Sequence, residues 1–297
     1  MPRRCDLWRI GVVRAPIAAI ARAGSLDPFA IDWLGEPGAF RFLADPFAIR
    51  REGALHLFAE AYDYRERHGR IVHLTVDAAG QASPTRIALA EPWHLSYPQL
   101  IEDRGQLFML PEASKGGRLT LYRAHDFPLG WSPVAEILLD VVPVDATPFR
   151  HDGRWWLAYA SGARKSAAMD RLHLAFADRL DGPWSPHPAN PVRVDRAAAR
   201  PGGTPFLLDG RLVIPLQDNV ATYGSAIRLL EVAALTPDRL EASLGARIAP
   251  PASAVPYSEG LHTLSACGDI TLIDVKRVDR SGRGWLIDGQ RLLSRLG

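Results

Sequence analysis

Ala44-Asp45-Pro46-Phe47-Ala48-Ile49, then a polar turn, then Gly53-Ala54-Leu55-His56-Leu57-Phe58: two short apolar segments around a glycine turn read as a β-hairpin. Proline sits at the start of the first strand, where a missing backbone N–H is tolerated. The pattern returns as Ser96-Tyr97-Pro98-Gln99-Leu100-Ile101 with Gly105-Gln106-Leu107-Phe108-Met109-Leu110. It returns again as Asp145-Ala146-Thr147-Pro148-Phe149 with Gly153-Arg154-Trp155-Trp156-Leu157-Ala158, and as Gly203-Thr204-Pro205-Phe206-Leu207-Leu208 with Gly210-Arg211-Leu212-Val213-Ile214-Pro215. The four prolines are 52, 50 and 57 residues apart. A fifth, more divergent copy runs from Gly260-Leu261-His262-Thr263-Leu264 through Cys267-Gly268-Asp269 to Ile270-Thr271-Leu272-Ile273-Asp274.

Such a period marks a stacked or radial architecture. Third strands are expected at residues 71–76, 119–123, 172–177 and 226–231, with fourth strands near 85–90 and 134–140. Five units of four short strands describe an all-β, five-bladed β-propeller with four-stranded antiparallel blades around a central channel. The chain then reads as one domain, residues 1–297, with blades at about 38–92, 93–142, 143–195, 198–250 and 255–297. The segment Trp8–Arg14 is expected to help close the ring. A β-sandwich would also show regular short strands. The prolines at the starts of the expected innermost strands favour the propeller, because such strands begin near the axis.

The 297 residues are 47% hydrophobic and 23% charged, which fits a globular chain and excludes collagen, coiled coil and disorder. The formal net charge of +2 argues against a nucleic-acid partner. No apolar stretch reaches the roughly 18 residues of a membrane span. Met1-Pro2-Arg3-Arg4 before residues 7–21 has the outline of a signal peptide, but Asp6, Arg9 and Arg14 interrupt the apolar part. With Cys5 and Cys267 as the two cysteines and no C-x-x-C pair, a reducing, cytoplasmic location is expected.

In a propeller the starts of the inner strands converge, so Asp45, Tyr97, Asp145, Arg200 to Gly203, and His262 should line one funnel. Asp45 and Asp145 could serve as an acid and base pair whose environments push their pKa values apart. A single Asp before a proline would serve equally as an Asx-type turn initiator; two in register on separate blades favour chemistry. Glu60 and Glu112, at the ends of adjacent second strands, could supply a proton. His262 could bind a metal, a water or a sugar hydroxyl. With no further His or Cys at ligand spacing, no metal site is assigned. Arg200, Gln217, Asp218 and Tyr223 offer donors and acceptors for vicinal hydroxyls, carboxylate or phosphate. Trp93, Trp131, Trp155, Trp156 and Trp184 are candidates for stacking on sugar rings, several of them equally suited to packing between blades.

These residues carry a resemblance. The chain resembles the five-bladed propeller of glycoside hydrolase family 43 and its relatives, and more closely the N-terminal propeller of plant glucosamine inositolphosphorylceramide transferases and similar bacterial proteins. The match lies in Leu43-Ala44-Asp45-Pro46-Phe47, Ser96-Tyr97-Pro98, Met109-Leu110-Pro111-Glu112, Leu121-Tyr122-Arg123-Ala124 and Asp145-Ala146-Thr147-Pro148-Phe149. It continues through Asp181-Gly182-Pro183-Trp184-Ser185-Pro186-His187-Pro188, Ala199-Arg200-Pro201-Gly202-Gly203, and Gln217-Asp218 with Tyr223-Gly224, within residues 38–278. The family 43 resemblance implies Asp45 as general base, Asp145 as the residue that tunes the acid, and His262 near an axial ion or water. Where that family places its general-acid glutamate, this chain has Gly202-Gly203-Thr204. Glu112 could replace the acid. Otherwise the propeller would bind or transfer a sugar, nucleotide sugar or glycolipid head group without hydrolysis, in partnership with a separate glycosyltransferase. No cofactor is required; a calcium or sodium ion near His262 would leave no linear signature.

Overall fold

The computed structural model describes residues 4–293. Met1-Pro2-Arg3, the start weighed as a leader, and residues 294–297 of the last expected blade lie outside the described residues. The chain is a five-bladed β-propeller of antiparallel sheets. Blade I, from the axis outward, is Arg41–Arg51, Ala54–Asp63, His68–Val76 and Arg86–Leu89; blade II is Ser96–Asp103, Gln106–Glu112, Leu119–Asp126 and Gly130–Ile137. Blade III is Pro143–His151, Arg154–Ser161 and Arg171–Ala177, with its outer edge split into Ser185–Pro186 and Arg193–Val194. Blade IV splits its inner edge instead, into Arg200–Pro201 and Phe206–Leu208, before Arg211–Asp218, Ala226–Thr236 and Arg239–Ile248.

Blade V closes the ring with both parts of the chain. Gly260–Cys267 and Ile270–Asp279 come from its end, Cys5–Val13 and Ile31–Trp33 from its start. Cys5–Val13 pairs along its whole length, from Cys5 opposite Asp279 to Val13 opposite Thr271. Closing the ring covalently distant in sequence removes two sheet edges that would otherwise stay open.

Each interface between neighbouring blades has its own apolar cluster, which is why the strands read as apolar on both faces. Phe58, Ile71, Met109 and Tyr122 join blades I and II; Leu110, Leu121, Leu157 and Ala175 join II and III. Trp156, Leu174, Ile214 and Leu230 join III and IV; Leu229, Ile227, Leu264 and Ile273 join IV and V; Val12, Leu272, Leu57 and Leu74 join V and I. A fully buried side chain of this size contributes about 1.5–3 kcal/mol. The inner hairpins of four blades turn through Glu52-Gly53, Arg104-Gly105, Asp152-Gly153 and Asp209-Gly210, with φ positive at both residues of each pair. That is the two-residue turn whose twist matches the strands it joins, and it explains the recurring glycine.

The register corrects one equivalence. Inner strands I, II and III carry a β-bulge between Ala44 and Phe47, Ser96 and Gln99, and Val144 and Thr147. Pro46 and Pro98 are therefore equivalent, but Pro148 stands two residues further on. The aspartates remain aligned, because the bulges and not the prolines set the repeat.

Candidate functional site at the mouth of the propeller

The bulges deliver the axial side chains. Asp45, Tyr97 and Asp145 each open a bulge with φ of 52°, 46° and 50°, a left-handed conformation that Asp tolerates better than most residues. Opposite them, Glu60 pairs with Ala44 and Glu112 with Ser96, so the two glutamates occupy one register position on adjacent blades. Gln217 holds the corresponding place in blade IV, opposite Arg200.

Two buried ionic groups result. In the first, Asp274 accepts the backbone N–H groups of His262 at 3.1 Å, Thr263 at 3.0 Å and Asp45 at 2.8 Å, and its Oδ1 lies 2.8 Å from His262 Nδ1. The other ring nitrogen, Nε2, faces Asp45 Oδ1 at 3.7 Å, while Thr263 Oγ1 and the Tyr97 N–H donate to Asp45 at 3.1 and 3.2 Å. Burial opposes charge on His262, but the two flanking carboxylates outweigh it and raise its pKa. Burial pushes Asp45 up to about 7; His262 pulls it down, and Asp274 and Asp145 push it further up.

The second group is built on Asp145. Arg200 grips it in a fork, Nε to Oδ2 at 2.6 Å and a terminal nitrogen to Oδ1 at 3.2 Å. Gln217 Nε2 adds 2.9 Å to Oδ2 and also donates to the Pro201 carbonyl at 2.8 Å. Burial disfavours charge on Arg200, yet Asp145 more than compensates and raises its pKa. Beside this pair, Glu112 accepts the N–H groups of Ser114 at 2.9 Å and Asp145 at 3.3 Å. Its pKa is raised, by burial first and the Asp145 charge second.

The channel between the two groups is blocked by protein. Tyr97 reaches across the axis, its hydroxyl 3.0 Å from Thr147 Oγ1 and accepting the Gly203 N–H at 2.7 Å. Gly203 lies against blade V: Leu264 N–H donates to the Gly202 carbonyl at 2.9 Å, and Thr204 N–H to the Leu264 carbonyl at 3.1 Å. A Cβ on Gly203 would sit 1.9 Å from the Leu264 carbonyl oxygen, and its φ is 137°. The position where the family 43 resemblance implies a general acid is thus occupied by a strand-to-strand contact that admits no side chain.

Over the axis lies an open pocket of about 380 Å³, within the size range of small-ligand sites. Its walls include Trp8, Glu60, Tyr62, Tyr64, His94 and Tyr223. Trp8, on the ring-closing strand, stacks on His262 with ring centres 3.6 Å apart and planes 15° apart. Lys276 lies beneath, 5.1 Å from the Trp8 ring centre and 5.6 Å from that of Tyr223; it donates to the Tyr223 carbonyl and lies 3.5 Å from Asp6. Arg200 approaches the Tyr223 ring at 5.2 Å. Burial raises the Glu60 pKa well above the ordinary carboxyl range, and the Asp45 and Asp274 charges add to the effect. Burial lowers His94 to about 4, so its ring is neutral. The Gly69 N–H donates to His94 Nδ1 at 2.9 Å, which places the ring proton on Nε2, 3.5 Å from Glu60 Oε1.

Asp45, Asp145, Glu112, Tyr97, Arg200, Gln217 and His262 therefore gather at the axis, and Glu60, Tyr223 and His262 itself reach the pocket above. Asp218 does not join them. It follows Gln217 in one strand, so it points to the opposite face, where Arg247 Nε holds it at 2.7 Å. The tryptophans chosen for stacking lie elsewhere: Trp131, Trp155, Trp156 and Trp184 are buried in the clusters between blades, and Trp93 lies outside the axis against Gly116. Trp8, His94, Asp274 and Lys276 were not singled out. Asp274 had a signal, an acid inside the apolar part of the fifth copy's second strand; Trp8 belongs to the closing strand, outside the repeat. Asp45, His262 and Asp274 offer donor atoms within 4.8 Å of one another and are the residues that could hold a cation, although most of their atoms already have protein partners.

The family described as glucosamine inositolphosphorylceramide transferase 1, N-terminal, matches residues 33–248. Glucosamine inositolphosphorylceramide transferase 1 of Oryza sativa subsp. indica is 37% identical over 199 residues, 66% of this chain and 27% of that protein. The Arabidopsis thaliana protein of the same name is 35% identical over 202 residues, 66% of this chain and 26% of that protein. The match thus spans about a quarter of the length of these relatives. Among solved structures, the family 117 glycoside hydrolase Zg3597 of Zobellia galactanivorans is similar with a TM-score of 0.57 and 15% identity, covering 81% of this chain and 88% of that one. The α-L-arabinofuranosidase PaAbf62A of Podospora anserina gives a TM-score of 0.56 at 12% identity, covering 82% and 93%. These two likenesses establish the shared fold.

Proposed function

Because this chain belongs to the glucosamine inositolphosphorylceramide transferase 1 N-terminal family, we propose that it recognises a sugar-bearing ligand in the pocket over its axis and does not hydrolyse it. The observation that carries this reading is the separation of the open pocket from the axial acids. Asp45, Asp145 and Glu112 are buried, and each is held by protein donors: Asp45 by Tyr97 and Thr263, Asp145 by Arg200 and Gln217, Glu112 by two backbone amides. A leaving group needs a positioned acid, and the fourth blade has no room for one. The pocket instead offers what a sugar needs for binding. Tyr62, Tyr64 and Tyr223, each partly exposed at the pocket and backed by the buried Trp8, suit the apolar faces of a ring, and the Glu60 carboxyl and the His94 ring N–H offer hydrogen-bond partners for hydroxyl groups. The exposed Arg4 at the rim suits a phosphate on the same ligand. In this reading no ion is required; an axial cation, if bound, would be held by Asp45, His262 and Asp274.

Hydrolysis remains the second reading on one specific observation: Glu60, its pKa raised well above the carboxyl range by burial, faces the pocket while Asp45, raised to about 7, lies behind it, which is the kind of division that acid–base chemistry uses. Calorimetry with monosaccharides, inositol phosphate and nucleotide sugars, beside a reducing-sugar assay on aryl glycosides, separates the two. We expect binding without release of sugar, and an affinity about tenfold weaker or more in Tyr62→Ala and Glu60→Ala. Release of sugar that Asp45→Asn abolishes would establish the hydrolytic reading; unchanged affinity in both variants would remove the pocket as the binding site.

A further inference from the structure

The Lys276 side chain has no exposed surface. It stands on the strand Ile270–Asp279 of blade V, opposite Gly260 on the inner strand and Trp8 on the ring-closing strand. Two residues beyond Asp274, it points to the same face, one step nearer the mouth. Gly260 makes the room it needs, since a Cβ there would lie 2.7 Å from Lys276 Cε. A buried ammonium is unfavourable unless its charge and its donors are met. The Asp6 carboxylate lies 3.5 Å away and is itself partly exposed, while Glu259, the other acid nearby, already accepts from Arg280 at 2.7 Å and from the Val278 N–H at 2.6 Å. An apolar side chain of similar length would suit the fold at least as well, so stability does not account for the charge.

What the ammonium holds is a wall of the pocket. Tyr223 belongs to the blade IV loop 219–224, between the strands Arg211–Asp218 and Ala226–Thr236. The two ends of that loop are fixed close by: the Asn219 carbonyl accepts Arg196 Nε at 2.6 Å, the Gly224 N–H donates to Asn219 Oδ1 at 2.8 Å, and the Leu261 N–H donates to the Gly224 carbonyl at 2.9 Å. Its apex is tied to blade V by two cations. Arg4 donates to Thr222 Oγ1 at 2.5 Å, and Lys276 donates to the Tyr223 carbonyl. Both cations meet the Asp6 carboxylate, Arg4 at 3.2 Å and Lys276 at 3.5 Å, and the Asp6 carbonyl accepts the Tyr64 hydroxyl at 2.9 Å. Asp6 thus joins the wall from blade IV, Tyr223, to the wall from blade I, Tyr64. Arg4 is half-exposed and screened by solvent, so the buried cation is the firmer tie. We infer that Lys276 is a positioning residue for the mouth pocket: its ammonium clamps Tyr223 to the ring-closing strand and fixes the spacing of the Tyr223 and Tyr64 walls before a ligand arrives. A wall set in advance spares the ligand the loss of entropy in ordering it.

This inference rests on the reading of the pocket as a ligand site, and two measurements on the full chain keep the two apart. The variant is Lys276→Met, close in length and without charge or donor. Hydrogen exchange should become about tenfold faster or more in the peptides that carry the Gly224 and Leu261 amides, with the strands of blades I and III unchanged, because the loosening is local. Calorimetry with inositol phosphate should show an affinity about tenfold weaker or more. Asp6 keeps Arg4 as its partner, so no buried charge is orphaned and the urea midpoint should stay near that of the wild type. A residue that served only the fold would instead lower the midpoint and speed exchange throughout the ring, and that result overturns the inference. So does unchanged exchange in the two peptides, or faster exchange there with the affinity unchanged. Free exchange of the same amides in the wild type would overturn it without any variant. A wild type that does not bind the probe, beside local loosening in the variant, would leave the clamp standing and remove the reading of the pocket as a sugar site.

Discussion

Arg200→Met is expected to cost the folded chain about 3–5 kcal/mol, the penalty for leaving a buried charge without its partner. Asp145 is almost wholly buried, and the Arg200 fork, at 2.6 and 3.2 Å, is its sole cationic partner among the described ion pairs. Gln217 would remain as a neutral donor at 2.9 Å and cannot balance the charge. Urea unfolding at neutral pH reads the effect directly. Adding Asp145→Asn removes the orphaned charge, so the double variant should recover most of the loss. A single variant within about 0.5 kcal/mol of the wild type, the range of ordinary surface substitutions, would mean that Asp145 is solvated and that the axial group is not the closed pair described above.

The second large effect is a change of stability with pH centred on Asp45. Its pKa rises from an ordinary 3.8 to about 7 in the folded chain, chiefly through burial. Between those values the folded state holds a proton that the unfolded state has released, so this group lowers stability as pH rises through the window. Asp45→Asn keeps one acceptor oxygen for the Tyr97 N–H, sets its NH2 against the Thr263 hydroxyl, which can accept as well as donate, and tolerates the same φ, but never ionises. Relative to wild type it should gain stability between pH 4 and pH 8, by up to about 4 kcal/mol. The comparison must be between the two proteins. His73 and His94, both lowered to about 4 by burial, make the total stability rise with pH up to the ordinary histidine range. His262, raised, stabilises the fold below that range and loses its contribution as pH climbs through its folded value, so it adds to the Asp45 slope. Urea melts at matched pH steps give the difference; a variant that tracks the wild type at every pH would show that Asp45 is ionised throughout.

The reach of the sequence was set by what repeats. The hairpin period, with its glycine turns, reflects local backbone chemistry that each blade must satisfy separately, so five blades and the convergence of Asp45, Tyr97, Asp145 and His262 were legible in order along the chain. Glu60 and Glu112 were legible as equivalents for the same reason. Asp218 was not, because consecutive residues in a strand point to opposite faces and a polar pair gives no sign of which one turns inward. The tryptophans of the repeat went to the blade interfaces, where large apolar area is best buried, and the stacked indole at the mouth came from Trp8.

Only the folded ring could supply the rest. Which carboxylates are neutralised, which keep a proton, and whether the channel is open all depend on partners more than 50 residues away: Arg200 on Asp145, Thr263 on Asp45, Leu264 against Gly203. Periodic local signals determined the architecture, since each hairpin carries its own. The electrostatics and openness of the site were decided by closure, because burial and charge pairing belong to side chains that meet only when the first strand joins the last.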